Sequence, residues 1–252
     1  MLELWWYPLL FVTGLVAGLV DAIAGGGGLL TIPVLLSTGL APAEVLGTNK
    51  LQASFGSGTA TWHYARGGVV DFRACRLGVA CTLVGAALGA WAVTRLPREV
   101  LAALIPFLLA AILVYMLVHP RIGGEPHAAR LPAPVFFTAA GLGLGFYDGF
   151  FGPGTGTFWT AGIVFALGWP LLPATGATKL MNFTSNIVSL AVFLAGGHVR
   201  FVAGFTMAAG QMIGARIGAA LALKQGARVI RPVFLAIVAL TVLKLLVDLV
   251  RR

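Results

Sequence analysis

The chain consists of long apolar runs separated by short polar stretches, and this pattern restricts the folds open to it. Runs can be read at 4–24, 29–40, 43–65, 74–94, 99–118, 132–151, 157–169, 174–195, 201–223 and 232–250. A membrane-spanning helix needs about 20 consecutive apolar residues. Eight of the ten runs meet this length, whereas 29–40 and 157–169 are much shorter. The pattern predicts an all-α polytopic membrane protein with eight full spans and two short helices.

Composition supports the same class. Charged residues make up 10% of the chain and hydrophobic residues 59%, whereas a soluble domain has about 25% charged residues. The net charge of +9 does not indicate nucleic acid, because most of the basic residues fall in loops, where they set membrane topology. We therefore expect a multi-pass protein of the cell membrane, with the lipid bilayer as its partner and no nucleic acid.

The two halves of the sequence resemble each other. A shift of 127 positions aligns Gly14, Gly18 and Asp21 with Gly141, Gly145 and Asp148, and a shift of 129 aligns Lys50 with Lys179. The pattern predicts a tandem duplication: a first repeat at 1–120, a polar connecting loop at 121–131 and a second repeat at 132–252. Positive charge in the loops fits inverted and parallel repeats equally well, so the orientation stays open.

Each short run directly follows a glycine cluster, GGGG at 25–28 or GPGTG at 152–156. Short, glycine-interrupted segments at matching positions of two repeats are typical of the substrate sites of transporters. Glycine lets backbone N–H groups approach a ligand, and the helix that follows presents the positive end of its dipole. Close packing of helices through small residues is the alternative role for these glycines.

A second pair of motifs opens the next run of each half, GTNKLQASFGS at 47–57 and GATKLMNFTSN at 176–186. On a helix, Lys179, Asn182 and Asn186 share one face. The duplicated lysine and its amide neighbours favour a polar cavity, although a lysine near a helix end can also extend to the membrane surface.

Three further charges lie within apolar runs. Asp21 and Asp148 precede the two glycine clusters, and intramembrane carboxylates are functional candidates whose natural partners here are Lys50 and Lys179. A carboxylate can instead cap the N–H groups of a broken helix. With Arg216 also facing inward, the interior would carry a net positive charge, which suits a small anion.

The candidate residues fall into two groups. The predicted substrate-binding residues are Gly25, Gly26, Gly27, Gly28, Asn49, Lys50, Gln52, Gly152, Gly154, Thr155, Gly156, Thr157, Lys179, Asn182 and Asn186. Asp21, Asp148 and Arg216 are candidates for coupling or structural charges. No motif indicates a metal site, a cofactor, or the nucleophile and base of an enzyme.

The paired motifs resemble those of a known family. GLVAGLVDAIAGGGGLL with GTNKLQASFGS, and GLGLGFYDGFFGPGTGTF with ATKLMNFTSNIVSL, look like the first and second repeats of the sulfite exporter TauE/SafE family, also called the toluene sulfonate uptake permease family. The resemblance covers nearly the whole chain. It implies a multi-pass permease for sulfite, sulfonates or other small organosulfur or organic anions.

Together, residues and resemblance predict a secondary transporter that moves a small anion by alternating access. A passive anion channel is the alternative, because it would need the same lining. The substrate, the coupling ion and the direction of transport are left open, and a homo-oligomer is compatible with the pattern.

Overall fold

The computed structural model describes residues 3–118 and 128–226, and the side chains of these residues except 113–118. Within these ranges the regular structure is helical. The helices are α1 (Trp6–Ala24), α2 (Gly28–Ser37), α3 (Pro42–Arg66), α4 (Phe72–Thr94), α5 (Arg98–Val118), α6 (Ala133–Phe150), α7 (Thr155–Leu167), α8 (Leu171–Ala195) and α9 (Phe201–Gln225). Each of the first nine predicted runs corresponds to one helix. The tenth run, 232–250, lies outside the described residues, as does most of the predicted loop 121–131.

The helices differ in how well they fit a membrane span. By length and composition, α1 and α4 are long and apolar enough to cross a membrane, while α2 and α7 are short apolar helices. α3 and α8 are 25 residues long but bury many polar side chains, which dilutes their apolar character. The prediction of eight full spans is therefore supported by composition for these two helices and stays a prediction for the others.

Glycines allow two pairs of helices to pack backbone to backbone. Gly14 and Gly18 of α1 face the main chain of Met207 and Gln211 in α9. Because the residue numbers of both helices increase in the same direction along the contact, α1 and α9 are parallel. A Cβ atom at Gly18 would lie 2.8 Å from the Cα of Gln211, so this close approach depends on the missing side chain.

The same kind of contact joins α4 to α6. Gly85 faces Leu142 and Gly89 faces Phe146, so these two helices also run in the same direction. Small residues at helix contacts are characteristic of packing in membranes, where dispersion forces and close approach replace the hydrophobic effect.

The remaining contacts fix the relative direction of the two sets. Gly47 of α3 packs against Phe193 of α8, and Gly58 packs against Phe183, so α3 and α8 are antiparallel. α9 runs in the same direction as α3, because Gly56 faces Gln211 and Gly204 faces Leu51. α8 runs in the same direction as α4, because Gly176 contacts Val70, just before α4, and Gly78 contacts Met181. As a result α1, α3 and α9 run one way, and α4, α6 and α8 run the other.

The distribution of polar and apolar side chains is the reverse of that in a soluble protein. Lys50, Lys179 and Asn182 are buried, whereas Val12, Leu88 and many other large apolar side chains lie on the outer surface. Extensive exposed apolar surface marks a face that contacts a membrane or a partner. The helices therefore surround a polar centre and turn apolar residues outward.

Candidate functional site

The first glycine cluster breaks the chain between α1 and α2. α1 ends at Ala24, and Gly25 and Gly26 have φ angles of +82° and +93°. L-residues rarely adopt such angles, because the Cβ atom approaches the following carbonyl oxygen. α2 begins at Gly28, so the glycines turn the chain within the protein.

The second cluster makes a corresponding break between α6 and α7. Gly152 and Gly154 have φ angles of +104° and +83°. Thr155 begins α7, and its hydroxyl donates to the Gly152 carbonyl in a hydrogen bond of 2.6 Å. Tyr147 donates to the carbonyl of Pro153 at 2.6 Å. These hydrogen bonds hold the irregular backbone, which a membrane tolerates only inside protein or beside water.

The two breaks contact each other. A Cβ atom at Gly25 would lie 2.8 Å from the backbone nitrogen of Thr157, and one at Gly28 would lie 3.2 Å from Pro153. The Thr157 hydroxyl donates across the contact to the carbonyl of Ala24 at 3.3 Å. Segments more than 120 positions apart in sequence thus form one structural centre.

Lys50 of α3 reaches across to the end of α6. Its Nζ donates to the backbone carbonyl of Asp148 at 2.5 Å, to Asp148 Oδ1 at 2.7 Å and to Asn186 Oδ1 at 3.2 Å. Ser185 donates to the other carboxylate oxygen of Asp148. An ammonium has three protons, so these hydrogen bonds use the full capacity of Lys50.

Lys179 of α8 makes the corresponding contact with the end of α1. Its Nζ donates to the backbone carbonyl of Asp21 and, at 3.3 Å, to Asp21 Oδ2. The other carboxylate oxygen accepts from the N–H of Gly27 at 3.3 Å. The predicted partnership of the aspartates with the lysines is therefore seen in the geometry: Lys50 of α3 binds at the break after α6, and Lys179 of α8 binds at the break after α1.

Both lysines stabilise helix ends. The last carbonyls of a helix lack partners and carry the negative end of the dipole, where a carboxylate is unfavourable. Each aspartate lies in the last turn of its helix, and each lysine neutralises the carboxylate and caps a carbonyl. In addition, the Asp21 carboxylate accepts from the N–H of Gly27, as the capping alternative predicts.

A polar cavity lies between the two breaks. It is open on one side, and about 420 Å³ of space between atoms lies within it, part of which is solvent at its mouth. The predicted residues that line it are Asp21, Gly26, Gly27, Gly28, Asn49, Lys50, Gln52, Asp148, Gly152, Gly154, Thr155, Gly156, Asn182 and Asn186. Ala53 and Gln211 complete the wall.

Several donors at this wall lack an acceptor. The backbone N–H groups of Gly28 and Gly156, in the first turns of α2 and α7, have no acceptor among the described residues. Buried backbone N–H groups are nearly always paired with protein, water or a ligand. The cavity therefore presents the positive ends of two short helices, each with a free donor.

Four predicted site residues do not line the cavity. Gly25 and Thr157 form the contact between the two breaks, and Lys179 lies behind the wall, fully buried on Asp21. Arg216 lies away from the site altogether.

The expectation that Arg216 faces inward is wrong. α9 turns Gly214 and Gly218 towards α1, which leaves Arg216 on the opposite side with the exposed residues Ile213 and Ile217. Among the described residues, the interior charges are two lysines paired with two aspartates, which cancel. The expected net positive charge is therefore not seen in residues 3–118 and 128–226, where the positive ends of the α2 and α7 dipoles are present at the cavity instead.

Gln211 is a wall residue that the motifs did not identify. It is 2% exposed and belongs to the glycine-rich face of α9. The only signal in the sequence is an amide within an otherwise apolar run, and neither repeat motif contains it.

No group of three or more His, Cys, Asp or Glu side chains that could hold a metal ion occurs in residues 3–118 and 128–226. The buried polar groups are instead lysine, aspartate, amide and hydroxyl groups. These fit a site that binds a polar solute by hydrogen bonds.

A polar cavity at two broken helices within an apolar bundle is the arrangement of a membrane transporter. The family model described as Sulfite exporter TauE/SafE matches residues 10–245, and the chain belongs to this family. The predicted family is thereby confirmed.

Curated relatives agree with this assignment. The chain is 44% identical to the probable membrane transporter protein YfcA of Escherichia coli K12 over 95% of this chain and 89% of that protein. It is 43% identical to the probable membrane transporter protein ORF9 of Sinorhizobium sp. over 95% and 92% of the two chains. A probable membrane transporter protein of Haemophilus influenzae is 41% identical over 95% and 94%. No solved structure matches the chain. The protein is thus a membrane transporter, and the names of its relatives indicate no enzyme.

Proposed function

We propose that this transporter carries a small anion, such as sulfite, a sulfonate or another organosulfur or organic anion, across the cell membrane as a multi-pass secondary transporter. The observation that carries the proposal is the pair of unpaired N–H groups at Gly28 and Gly156, two residues that line the same cavity. Helix N-termini bind oxyanions through such donors and through the dipole.

Because each lysine is already paired with an aspartate, we infer that the lysines support the site and do not themselves bind the anion. Lys50 has no proton left for a ligand while it binds Asp148 and Asn186. In this proposal the backbone donors of the two short helices contact the anion. The lysines hold the ends of α1 and α6, which lead into those short helices, and balance the aspartates, which would otherwise repel an anion.

We also propose that the two halves are inverted repeats, at 1–120 and 132–252. Support comes from helix direction, since α1 and α6 are antiparallel and hold matching glycine contacts with α9 and α4. The crossed pairs Lys50–Asp148 and Lys179–Asp21 also correspond under the alignment of the halves. Inverted repeats give a transporter two related states, which is the usual basis of alternating access.

The test is uptake and counterflow in proteoliposomes. The purified protein would be given sulfite, sulfate, methanesulfonate, acetate and a cation control, each with and without a pH gradient. Saturable uptake of an anion, with acceleration by the same anion on the opposite side, is the expected result. Flux that never saturates would favour a channel, and absence of anion flux from folded protein would contradict the proposal.

A further inference from the structure

Gln211 is a buried amide without a hydrogen-bonding partner. Its Oε1 is buried and accepts no hydrogen bond, and its Nε2 donates none within the described part of the chain. Leaving a buried polar group unsatisfied costs about 1–3 kcal/mol. A position on a glycine-rich helix face would be filled at lower cost by an apolar residue, so the amide calls for a functional explanation.

The surroundings of Gln211 are shaped to hold its side chain at the cavity wall. A Cβ atom at Gly56 of α3 would lie 2.5 Å from Gln211 Nε2, and Gly18 of α1 packs against the backbone of Gln211. Gly56 therefore leaves the room that the amide fills, and Gly18 allows the backbone that carries it to come close to α1. Its position also brings α9 into the wall of a cavity that otherwise belongs to the two breaks and to α3 and α8.

In the contact between α4 and α6, the position that corresponds to Gln211 is occupied by Thr82. Thr82 faces Gly145 of α6 as Gln211 faces Gly18 of α1. Thr82 lies outside the cavity wall and has a partner, the sulfur of Met181 at 3.7 Å. The unpaired amide is thus a feature of one side of the cavity, and not a general requirement of this helix contact.

We propose that Gln211 is a substrate-binding residue that recognises a hydroxyl or amino group carried by the anion. The inference rests on the proposed function, in which the N–H groups of Gly28 and Gly156 bind the anionic head. An amide offers both a donor and an acceptor. Rotation about its last torsion, which has no sharp minima, exposes either one to the cavity. Two further wall residues, Gln52 and Asn182, also have amide oxygens without a donor, and these oxygens favour a ligand that brings donors of its own.

The test compares two anions that differ by one hydroxyl group, ethanesulfonate and 2-hydroxyethanesulfonate, as competitors of counterflow in proteoliposomes. A site with an amide arranged for a hydroxyl disfavours the analogue that lacks it. We expect the wild type to prefer the hydroxylated anion by about tenfold, which corresponds to the net contribution of one hydrogen bond. Gln211→Met, which keeps the length and removes the amide, should reduce the ratio to near one.

Thr82→Val is the matched control, because it removes a polar group from the other contact without reaching the cavity. It should keep the preference of the wild type. If the wild type transports anions but shows no preference for the hydroxyl, or if Gln211→Met keeps that preference, Gln211 is not a binding residue of this kind. If the wild type transports no anion at all, the proposed function itself has failed.

Discussion

Lys50 and Asp148 lie 98 positions apart in the chain, and their side chains meet at 2.7 Å with 1% and 5% exposed. This ion pair joins α3 to the end of α6. Because both charges have left water, each depends on the other. Removing one partner of this pair should therefore cost more than removing one partner of an exposed ion pair.

Replacing Lys50 alone should be strongly destabilising. Lys50→Met leaves the Asp148 carboxylate buried without its cation, a change that costs about 3–5 kcal/mol in buried pairs. Lys50→Met combined with Asp148→Asn should cost clearly less, because neither charge remains. Thermal unfolding of the purified variants in detergent measures both. Equal losses in the single and double variants would contradict the dependence of one charge on the other.

Lys179→Met should be less damaging than Lys50→Met. The Asp21 side chain is 17% exposed and lies 3.3 Å from Lys179 Nζ, so water can replace part of the lost interaction. The same unfolding measurement ranks the two variants. A greater loss at Lys179 would show that the exposed fraction of the aspartate does not control the cost.

Gly25→Ala should impair transport more than Gly39→Ala. Gly25 combines a φ of +82° with a ψ of 173°, and Gly39 has a φ of +79°, so alanine is strained at both positions and more strongly at Gly25, whose combination is essentially restricted to glycine. Only at Gly25 does the new Cβ meet another atom, the Thr157 nitrogen at 2.8 Å, since Gly39 has nothing within 4 Å. Initial uptake rates normalised to folded protein should fall for Gly25→Ala alone. A similar fall in both variants would assign the effect to strain.

Gly145→Ala and Gly143→Ala test the packing of α6. A Cβ at Gly145 would lie 2.8 Å from the Thr82 carbonyl oxygen, whereas Gly143 has open space around it. Gly145→Ala should lower the melting temperature. Gly143→Ala should be neutral or stabilise by up to about 1 kcal/mol, through higher helix propensity. Loss of stability in both would place the cause in the helix itself and not in its contact.

Arg216→Gln should leave the KM for the transported anion unchanged. The side chain is exposed between Ile213 and Ile217 and lies outside the cavity wall. Concentration-dependent uptake in proteoliposomes measures the KM. An increase of about tenfold or more, corresponding to at least 1.4 kcal/mol, would mean that Arg216 reaches the anion in another state.

The sequence predicts the helices and the breaks well, because both follow from local chemistry. Apolar runs set the helix bounds to within a few residues, and GGGG and GPGTG occur where positive φ angles are needed. The pairing of each lysine with an aspartate also follows from the cost of a lone charge in an apolar interior.

Other features depend on how the helices rotate, which the local pattern does not determine. A charge within an apolar run is predicted to face the interior, but the glycine face of α9 directs Arg216 outward. Gln211, on the same helix, belongs to the glycine face and therefore lies at the cavity. The saturated hydrogen bonding of Lys50 depends on Asn186 and Asp148 meeting across three helices, which no single motif contains.

The crossed lysines also constrain how the protein is made. When the ribosome has completed the first half, Lys50 is already part of the nascent chain, while Asp148 and Asn186, its partners in the finished fold, have not yet been synthesised. The nascent first half must therefore keep this charge near water or beside the insertion machinery until the second half arrives. Biogenesis of this transporter is then a joint assembly of both halves, with neither half complete as an independent unit.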